Sequence, residues 1–247
     1  TRRSHPRGLE TREVRSMTDR ACANCKILES QLIEYGEHGL IQHKDRLLCR
    51  ECRSREHKKA FYRIPVVYAV RDLLRALTLD VNDPNFAETP RRLADLLIEF
   101  SGATVDFEKE LEEICSAVFP HSSSGLIVSQ SIETYALCPH HLLPVHYVVA
   151  IGYLPKGYAI GVSKLSRLVD LLSKKSQLQE TYTQEVAKTL STHLKTPDVA
   201  VVVKGEHYCM KMRGTKSNGS IVVSEMLGDF QESQNLRAEF LSLAGVR

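Results

Sequence analysis

Residues 126–154 read LIVSQSIETYALCPHHLLPVHYVVAIGYL, and this stretch decides the fold class. Its two flanks, 126–137 and 145–154, are rich in β-branched and aromatic residues, which is typical of strands. Between them stands the short segment Cys138-Pro139-His140-His141. The stretch therefore predicts two successive strands with candidate metal ligands between them.

The sequence on either side of this stretch follows helical and strand patterns in turn. Apolar residues spaced three and four apart predict helices, and shorter β-rich runs predict strands. The predicted helices are 66–78, 89–102, 106–118, 163–173, 181–194 and 236–243, and the further predicted strands are 199–204, 207–213 and 219–224. This order indicates an α+β fold, an antiparallel sheet with helices on one face.

The composition is that of a globular protein, with 247 residues, 43% of them hydrophobic and 26% charged. No apolar run approaches the ~20 residues that cross a bilayer, which excludes a transmembrane protein. The first twenty residues mix arginines with acidic residues and lack an apolar core, so they predict neither a secretory nor a mitochondrial signal. We expect a cytoplasmic protein in which residues 1–16, before Met17, are a leader or disordered.

Four of the seven cysteines form two C-x-x-C pairs, Cys22 with Cys25 and Cys49 with Cys52. Two pairs at this spacing are typical of a closed Cys₄ zinc site. The alternatives are two disulfides, which need an oxidising compartment, and a redox pair, which needs a βαβ context. We expect a zinc-ribbon-like module over residues 17–60, whose folding depends on structural zinc because so short a unit has little core.

The amino-terminal quarter of the chain is basic, with 15 Lys and Arg against 9 Asp and Glu in residues 1–64. Such a surplus favours contact with a polyanion such as nucleic acid, or with a partner protein. A solvated surface of a zinc module is the ordinary alternative. The second domain, predicted over residues 61–247, carries no such surplus. Within it Cys115 falls on the inward face of a predicted helix and is expected to be a packed thiol.

The second domain also holds a second group of candidate metal ligands. Cys138 and His141 offer two ligands from one turn, and Cys209 offers a third from a later predicted strand. Three protein ligands leave one zinc position open, which is typical of a catalytic site. His140 and His207 then remain as candidates for a general acid and a general base. A second structural zinc, or buried histidines without a catalytic role, are the alternatives.

Basic and hydroxyl side chains gather at one predicted helix start. Ser163, Lys164 and Arg167 stand where backbone N–H groups favour a phosphate. Arg213, Lys211 and Arg92 would add guanidinium and ammonium groups, and a guanidinium group binds phosphate in a bidentate manner. Solvated surface charge is the simpler interpretation of these residues.

A carboxylate at Glu180 follows Gln179 near another predicted helix start. Such a carboxylate matches the two N–H donors on the edge of a guanine base. A helix-capping glutamate is the alternative.

From about residue 83 to residue 240 the sequence resembles the GTP cyclohydrolase I family. Six ordered segments carry the resemblance, and they are 88–92, 137–141, 160–167, 177–180, 207–214 and 233–237. The resemblance implies the tunnelling fold, in which antiparallel sheets of several subunits close into a barrel. The usual assembly is a toroidal homo-oligomer, a decamer, with active sites at subunit interfaces.

The resemblance also implies roles for individual residues. Catalytic zinc would be held by Cys138, His141 and Cys209, and proton transfer would fall to His140 and His207. The implied substrate-binding residues are Glu180 and Gln179 at the guanine, and Ser163, Lys164, Arg167, Arg213 and Arg92 at the triphosphate. The implied reaction opens the imidazole ring of GTP by hydrolysis, releases formate and gives 7,8-dihydroneopterin triphosphate. It is the first step of a pterin and folate pathway or of a deazaguanine pathway.

Two features depart from the family pattern. Pro139 stands where the family usually carries an acidic residue, and the Cys₄ module is not part of the common pattern. These departures keep two other hypotheses open. One is a binding protein in which the zinc module is attached to a catalytically silent tunnelling-fold scaffold. The other is a related enzyme acting on another purine or pterin.

Overall fold

The structure is a computed structural model that describes residues 41–43, 46–48 and 58–245. The chain divides into two compact units, Thr1–Asp95 and Leu96–Arg247. The helices are α1 (Lys58–Ala76), α2 (Thr89–Ser101), α3 (Phe107–Cys115), α4 (Val162–Ser173), α5 (Gln179–Leu194), α6 (Tyr208–Lys211), α7 (Asp229–Glu232) and α8 (Gln234–Leu243). The strands are β1 (Ile41–His43), β2 (Arg46–Leu48), β3 (Val118–Pro120), β4 (Ile127–Leu137), β5 (Pro144–Tyr153), β6 (Tyr158–Ile160), β7 (Val199–His207) and β8 (Ile221–Met226).

The first unit contains the β1–β2 hairpin, helix α1 and the first half of α2. The two strands pair antiparallel, from Ile41 opposite Leu48 to His43 opposite Arg46. Helix α1 begins at Lys58, eight residues before the predicted start, and Pro65 lies inside it. Proline usually stops a helix, because it lacks the N–H group for one backbone hydrogen bond, so the sequence pattern placed the start too late. The cysteines of the predicted Cys₄ module lie outside the described residues.

The second unit is organised by a four-stranded antiparallel sheet with the order β4-β5-β7-β8. Helices α3, α4 and α5 contribute to one buried core together with the strand residues that point toward them. Val149, Val201 and Val203 come from the sheet, and Leu168 and Tyr182 come from the helices. The α+β architecture with an antiparallel sheet was therefore predicted correctly, and Cys115 is buried in this core as expected.

Two features of this unit differ from the prediction, which placed the helices on one face of the sheet. The carboxy-terminal helices α7 and α8 pack Phe230 and Phe240 against Ala150 and Val202, which lie on the other face of the sheet. A small separate sheet pairs β3 with β6. The three-residue strands of that sheet are too short to show a period in the sequence.

The register of the large sheet sets the position of the candidate ligands. Leu137 lies opposite Pro144, and Val145 lies opposite His207. The turn that follows β4 and the end of β7 therefore meet at the same end of the sheet. The Cys138 turn and the segment around Cys209 become neighbours through this pairing.

The predicted strand 207–213 is wrong beyond its first residue. His207 is the last residue of β7, and residues Tyr208–Lys211 form the short helix α6. The pairing of β7 with β8 ends at Gly205, and its pairing with β5 ends at His207. Among the described residues, no strand pairs with the chain past His207, so the ladder ends there.

Among the described residues, none of the helices combines the length and the apolar character that a bilayer-spanning helix requires.

Candidate active site

A tight turn joins β4 to β5 and presents the first candidate ligands. The Cys138 carbonyl oxygen accepts hydrogen bonds from the backbone N–H groups of His141 (3.3 Å) and Leu142 (2.8 Å). The Cys138 N–H donates to the Leu143 carbonyl oxygen at 2.9 Å. Pro139 occupies the second position of this turn, where its fixed φ is favoured. The turn thus holds Cys138 and His141 close together.

Cys138, His141 and Cys209 form a group whose ligand atoms all lie within 4.8 Å of one another. The Cys138 Sγ is 3.8 Å from the Cys209 Sγ and 3.8 Å from the His141 Nδ1. Two thiolates bound about 2.3 Å from one zinc ion at the tetrahedral angle lie roughly 3.8 Å apart. The separations therefore fit three corners of a tetrahedral zinc site.

The ionisation of Cys209 is disfavoured by its surroundings. Burial and the neighbouring Cys138 raise the pKa of the Cys209 thiol above its ordinary value. Two adjacent thiolates are therefore unfavourable without a positive charge between them. A bound divalent ion would reverse this balance, because it stabilises the thiolate form.

His140 follows Pro139 in the same turn, but it lies outside the three-residue group. Its Nδ1 is 3.9 Å from the Cys138 Sγ, and its ring meets the His141 ring edge to face at 6.3 Å. Relative to Cys138, both His140 (C-x-H) and His141 (C-x-x-H) are spaced so that they could bind the same ion. The structure groups His141 with the cysteines. His140 is left free to face the adjoining cavity.

A cavity of about 290 Å³ adjoins the cluster. Its walls come from the Cys138 turn, the start of α5, the end of β7 and helix α6. The predicted site residues that line it are Cys138, His140, Gln179, Glu180, His207 and Cys209. Two candidate ligands, both candidate histidines and the candidate base reader therefore surround one space.

His207 lies at the end of β7, and its Nε2 is 2.9 Å from the Gln179 Oε1. Burial lowers the pKa of His207 below its ordinary value, and the Glu180 carboxylate acts in the opposite direction. The imidazole is therefore predominantly neutral at pH 7, since an ordinary histidine pKa is about 6.5. A neutral imidazole is the form that can accept a proton.

Tyr147 also lines the cavity, and the sequence interpretation did not include it. Its ring stacks on the Tyr182 ring at 5.0 Å and meets the His207 ring edge to face at 6.4 Å. Burial raises the pKa of Tyr147, so its hydroxyl keeps its proton at neutral pH. The alternation along β5 places Tyr147 on the same face as Val149, which predicts a buried side chain but not its place beside the cavity.

Glu180 lies in the first turn of α5, and its side chain is exposed. The residue at the amino-terminal cap is Leu178, and no side chain caps this helix. In the part of the chain that the structure describes, the Glu180 carboxylate has no hydrogen bond or ion pair. It is therefore available to a ligand in the cavity.

The residues of the second unit that were predicted to bind phosphate do not line this cavity. Helix α4 begins after Gly161 without a side-chain cap, and Ser163, Lys164 and Arg167 stand in its first two turns. None of the three lines the cavity, and neither does Arg213, which is exposed after α6. Arg92 is an exposed residue of α2 and belongs to the first unit.

Lys211 is engaged elsewhere. Its Nζ lies 2.6 Å from a Glu206 carboxylate oxygen and 5.9 Å from the centre of the Tyr208 ring. This hydrogen bond and the charge of Lys211 lower the pKa of Glu206. The pair accounts for Lys211 without a phosphate.

Comparison with known proteins matches residues 66–245 to the family described as GTP cyclohydrolase I. The chain is 37% identical to GTP cyclohydrolase 1 of Methylococcus capsulatus over 175 residues, which are 70% of this chain and 93% of that protein. It is 38% identical to GTP cyclohydrolase 1 of Dehalococcoides mccartyi over 179 residues, 71% of this chain and 93% of the other. It is 36% identical to GTP cyclohydrolase 1 2 of Pseudomonas aeruginosa over 173 residues, 69% of this chain and 94% of the other.

Proposed function

The chain belongs to the GTP cyclohydrolase I family, and we propose that it opens the imidazole ring of GTP by hydrolysis with the help of one bound zinc ion. Net consumption of one water releases C8 of the base as formate and leaves 7,8-dihydroneopterin triphosphate. One observation supports this most strongly: a cluster with zinc-ligand separations adjoins a cavity lined by two non-ligand histidines and a free carboxylate.

The metal ligands in this proposal are Cys138, His141 and Cys209. Zinc bound there supplies a Lewis acid that lowers the pKa of a coordinated water molecule to about 7. Two thiolates and one neutral imidazole would hold the ion, and three protein ligands are the number typical of a catalytic zinc site. The donor set of one nitrogen and two sulfurs suits zinc rather than magnesium or calcium, which prefer oxygen ligands.

Proton transfer falls to His140 and His207, which line the cavity without joining the metal group. Ring opening requires a proton on the departing nitrogen of the imidazole ring and removal of a proton from the attacking water. His207 is held neutral by burial and serves as a base. His140 stands next to the ligand His141 and lines the same cavity, where it would act as the second proton-transfer group.

Recognition of the base falls to Glu180. An ionised carboxylate accepts two hydrogen bonds, and guanine offers N1–H and a 2-amino group side by side. Adenine presents no such pair of donors. Glu180 is exposed, lines the cavity and has no partner among the described residues, so it can take this role without first breaking a contact.

The residues proposed to bind the triphosphate are Ser163, Lys164, Arg167, Arg213 and Arg92. The proposed active assembly is a homo-oligomer of ten copies, a decamer. The uncapped start of α4 offers backbone N–H groups to an anion. Since none of these residues lines the cavity beside the cluster in a single chain, a site shared between copies accommodates them.

The amino-terminal segment is proposed to be a separate Cys₄ module with one structural zinc held by Cys22, Cys25, Cys49 and Cys52. The β1–β2 hairpin lies between the two cysteine pairs, and β2 ends one residue before Cys49. A closed site of this kind has a structural role and carries no chemistry. We further propose a cytoplasmic location and a nucleic-acid or protein partner for this module. The reaction would belong to a pterin or deazaguanine pathway.

The test is to incubate the zinc-loaded protein with GTP and to measure formate together with the fluorescence of the oxidised pterin product. Both products are expected in equal amounts from the wild type, and neither from Cys138→Ser or His140→Ala. Cys115→Ser serves as the matched control, because Cys115 is a buried thiol outside the cluster. Failure of an assembled, metal-loaded wild type to release formate would favour a binding protein instead.

A further inference from the structure

Gln179 is a buried polar side chain at the first position of α5, with 3% of its surface exposed. Its Nε2 donates one hydrogen bond to the Val203 carbonyl oxygen at 2.9 Å and another to the Ile221 carbonyl oxygen at 3.1 Å. A glutamine amide carries only two N–H donors. Both are therefore engaged by backbone atoms of β7 and β8, and neither remains for a ligand.

These two bonds also fix which way the amide faces. If the amide were rotated by half a turn, its oxygen would lie against two carbonyl oxygens, which is repulsive. The Oε1 must therefore point away from Val203 and Ile221, and there it lies 2.9 Å from the His207 Nε2. An amide oxygen only accepts, so the hydrogen of this bond belongs to the histidine.

The consequence concerns the tautomer of His207. In a neutral imidazole one ring nitrogen carries a hydrogen and the other does not. With the hydrogen on Nε2, the nitrogen able to accept a proton is Nδ1. The amide thus determines both the plane of the ring and the identity of its basic atom.

Gly205 makes this arrangement sterically possible. Val203, Gly205 and His207 are alternate residues of β7, so they face the same side of the sheet. A Cβ atom at position 205 would lie 2.3 Å from the Gln179 Oε1 and 3.0 Å from the Tyr147 Cε1. The absence of a side chain there lets the glutamine amide pass from the Val203 carbonyl to the His207 ring.

We propose that Gln179 is a positioning residue that acts through His207, holding it as the Nε2–H tautomer with Nδ1 as the proton acceptor, and does not read the nucleotide base. This inference rests on the proposed function in one respect, namely that His207 accepts a proton during the reaction. It assigns Gln179 a role different from the base contact that the family resemblance implied. Glu180, the next residue, remains the base reader.

A double-mutant cycle tests the proposal. The kcat and KM for GTP are measured on zinc-loaded wild type, Gln179→Ala, His207→Ala and the double variant, at about pH 8, where an ordinary histidine is neutral. Loss of a partner that orients a reacting group typically costs about 10- to 100-fold in activity. We expect such a loss in the kcat of Gln179→Ala, with KM changed less than about threefold.

The decisive comparison is between the single and double variants. If Gln179 acts only through His207, removing it from His207→Ala costs less than about twofold further, because the two effects are not additive. Additive losses would overturn the proposal. A rise in KM, together with weaker discrimination between GTP and the competitor inosine triphosphate, would also overturn it, since inosine lacks the 2-amino group.

A second variant perturbs the Gln179 amide through a substitution in strand β7. Gly205→Ala is expected to displace the amide and to reproduce the kcat loss without a change in KM, although Gly205 does not line the cavity. Ser191→Ala removes a side-chain hydrogen bond from the same helix, far along the chain from the site, and controls for lost stability. Gln179→Met replaces Gln179→Ala if the latter does not assemble.

A spectroscopic readout tests the tautomer without turnover. Solid-state nitrogen NMR of ¹⁵N-histidine-labelled, zinc-loaded protein distinguishes a ring nitrogen that carries a hydrogen from one that does not. The signals of His207 are assigned by their loss in His207→Ala. The Nε2–H form is expected in the wild type and a mixture of tautomers in Gln179→Ala; an Nδ1–H form in the wild type would overturn the proposal even if the protein released no formate.

Discussion

Cys138 and Cys209 are 71 residues apart in the sequence, yet their Sγ atoms lie 3.8 Å apart. The approach follows from the pairing of β5 with both β4 and β7, which brings the end of β4 and the end of β7 to one end of the sheet. Neither thiol can form this pair through local structure. The proposed zinc site therefore exists only in the folded protein.

Metal content is the first prediction. The zinc-loaded wild type is expected to hold two zinc ions per chain, one at the cluster and one at the Cys₄ module. Cys209→Ser is expected to lower this number to one, because the cluster then loses one of its two thiolate ligands and binds zinc more weakly. Elemental analysis gives the stoichiometry. Cys115→Ser should retain both ions, and retention of both by Cys209→Ser would contradict the assignment.

The two adjacent histidines are predicted to separate in their effects. His141→Ala is expected to lose the zinc of the cluster, since His141 is grouped with both cysteines. His140→Ala is expected to keep that zinc and to lose about 100-fold or more in kcat, the typical contribution of a general acid or base. Metal analysis and formate release on the same samples distinguish the two. Exchanged results would mean that His140 is the ligand.

The acid stability of the protein should depend on His207. Burial lowers its pKa in the folded state, so the unfolded chain binds a proton first as the pH falls. The contribution of neutral His207 is thus present above about pH 6.5, the ordinary histidine value, and is lost as the pH falls through the lowered pKa. Thermal midpoints of the wild type should decline more steeply below that pH than those of His207→Gln. Parallel curves for the two proteins would show that burial of His207 does not affect stability.

Phosphate binding at the start of α4 is tested with Arg167→Ala. Hydrogen bonds to charged groups contribute about 1.5–3 kcal/mol, so KM for GTP is expected to rise about 10- to 100-fold. Inorganic triphosphate should compete with GTP on the wild type and much less on the variant. Lys188→Ala removes an exposed cation from α5 and should leave both quantities unchanged. Equal competition on wild type and Arg167→Ala would place the triphosphate elsewhere.

Pro139 is predicted to organise the ligand turn before metal binds. The ring fixes φ at the second turn position, and the Cys138 carbonyl oxygen already accepts from His141 and Leu142. Pro139→Ala should lower the stability of the folded state by about 0.4–1 kcal/mol, because the unfolded chain gains conformational freedom. The zinc affinity should fall by the corresponding factor of about 2 to 5, which competition with a chelator measures. An unchanged affinity would mean that the turn forms without the proline.

The sequence by itself determined which residues are candidates for the chemistry. The C-x-x-H spacing, Cys209, His207 and Glu180 were identified from residue types and short distances along the chain, and the antiparallel α+β class followed from the periods of the helices and strands. These are local properties, since ligand chemistry, turn preference and amphipathic period depend on residues a few positions apart.

Tertiary structure decided how these candidate residues are placed relative to one another. It grouped His141 with the cysteines, ended β7 at His207, where the pairing with β5 ends, and placed Tyr147 in the cavity wall. It also bound both amide hydrogens of Gln179 to carbonyl oxygens of β7 and β8, which no spacing in the sequence indicates. Strand register and side-chain partners are set by contacts between segments distant in the chain, so a local pattern can name the reacting groups but cannot orient them.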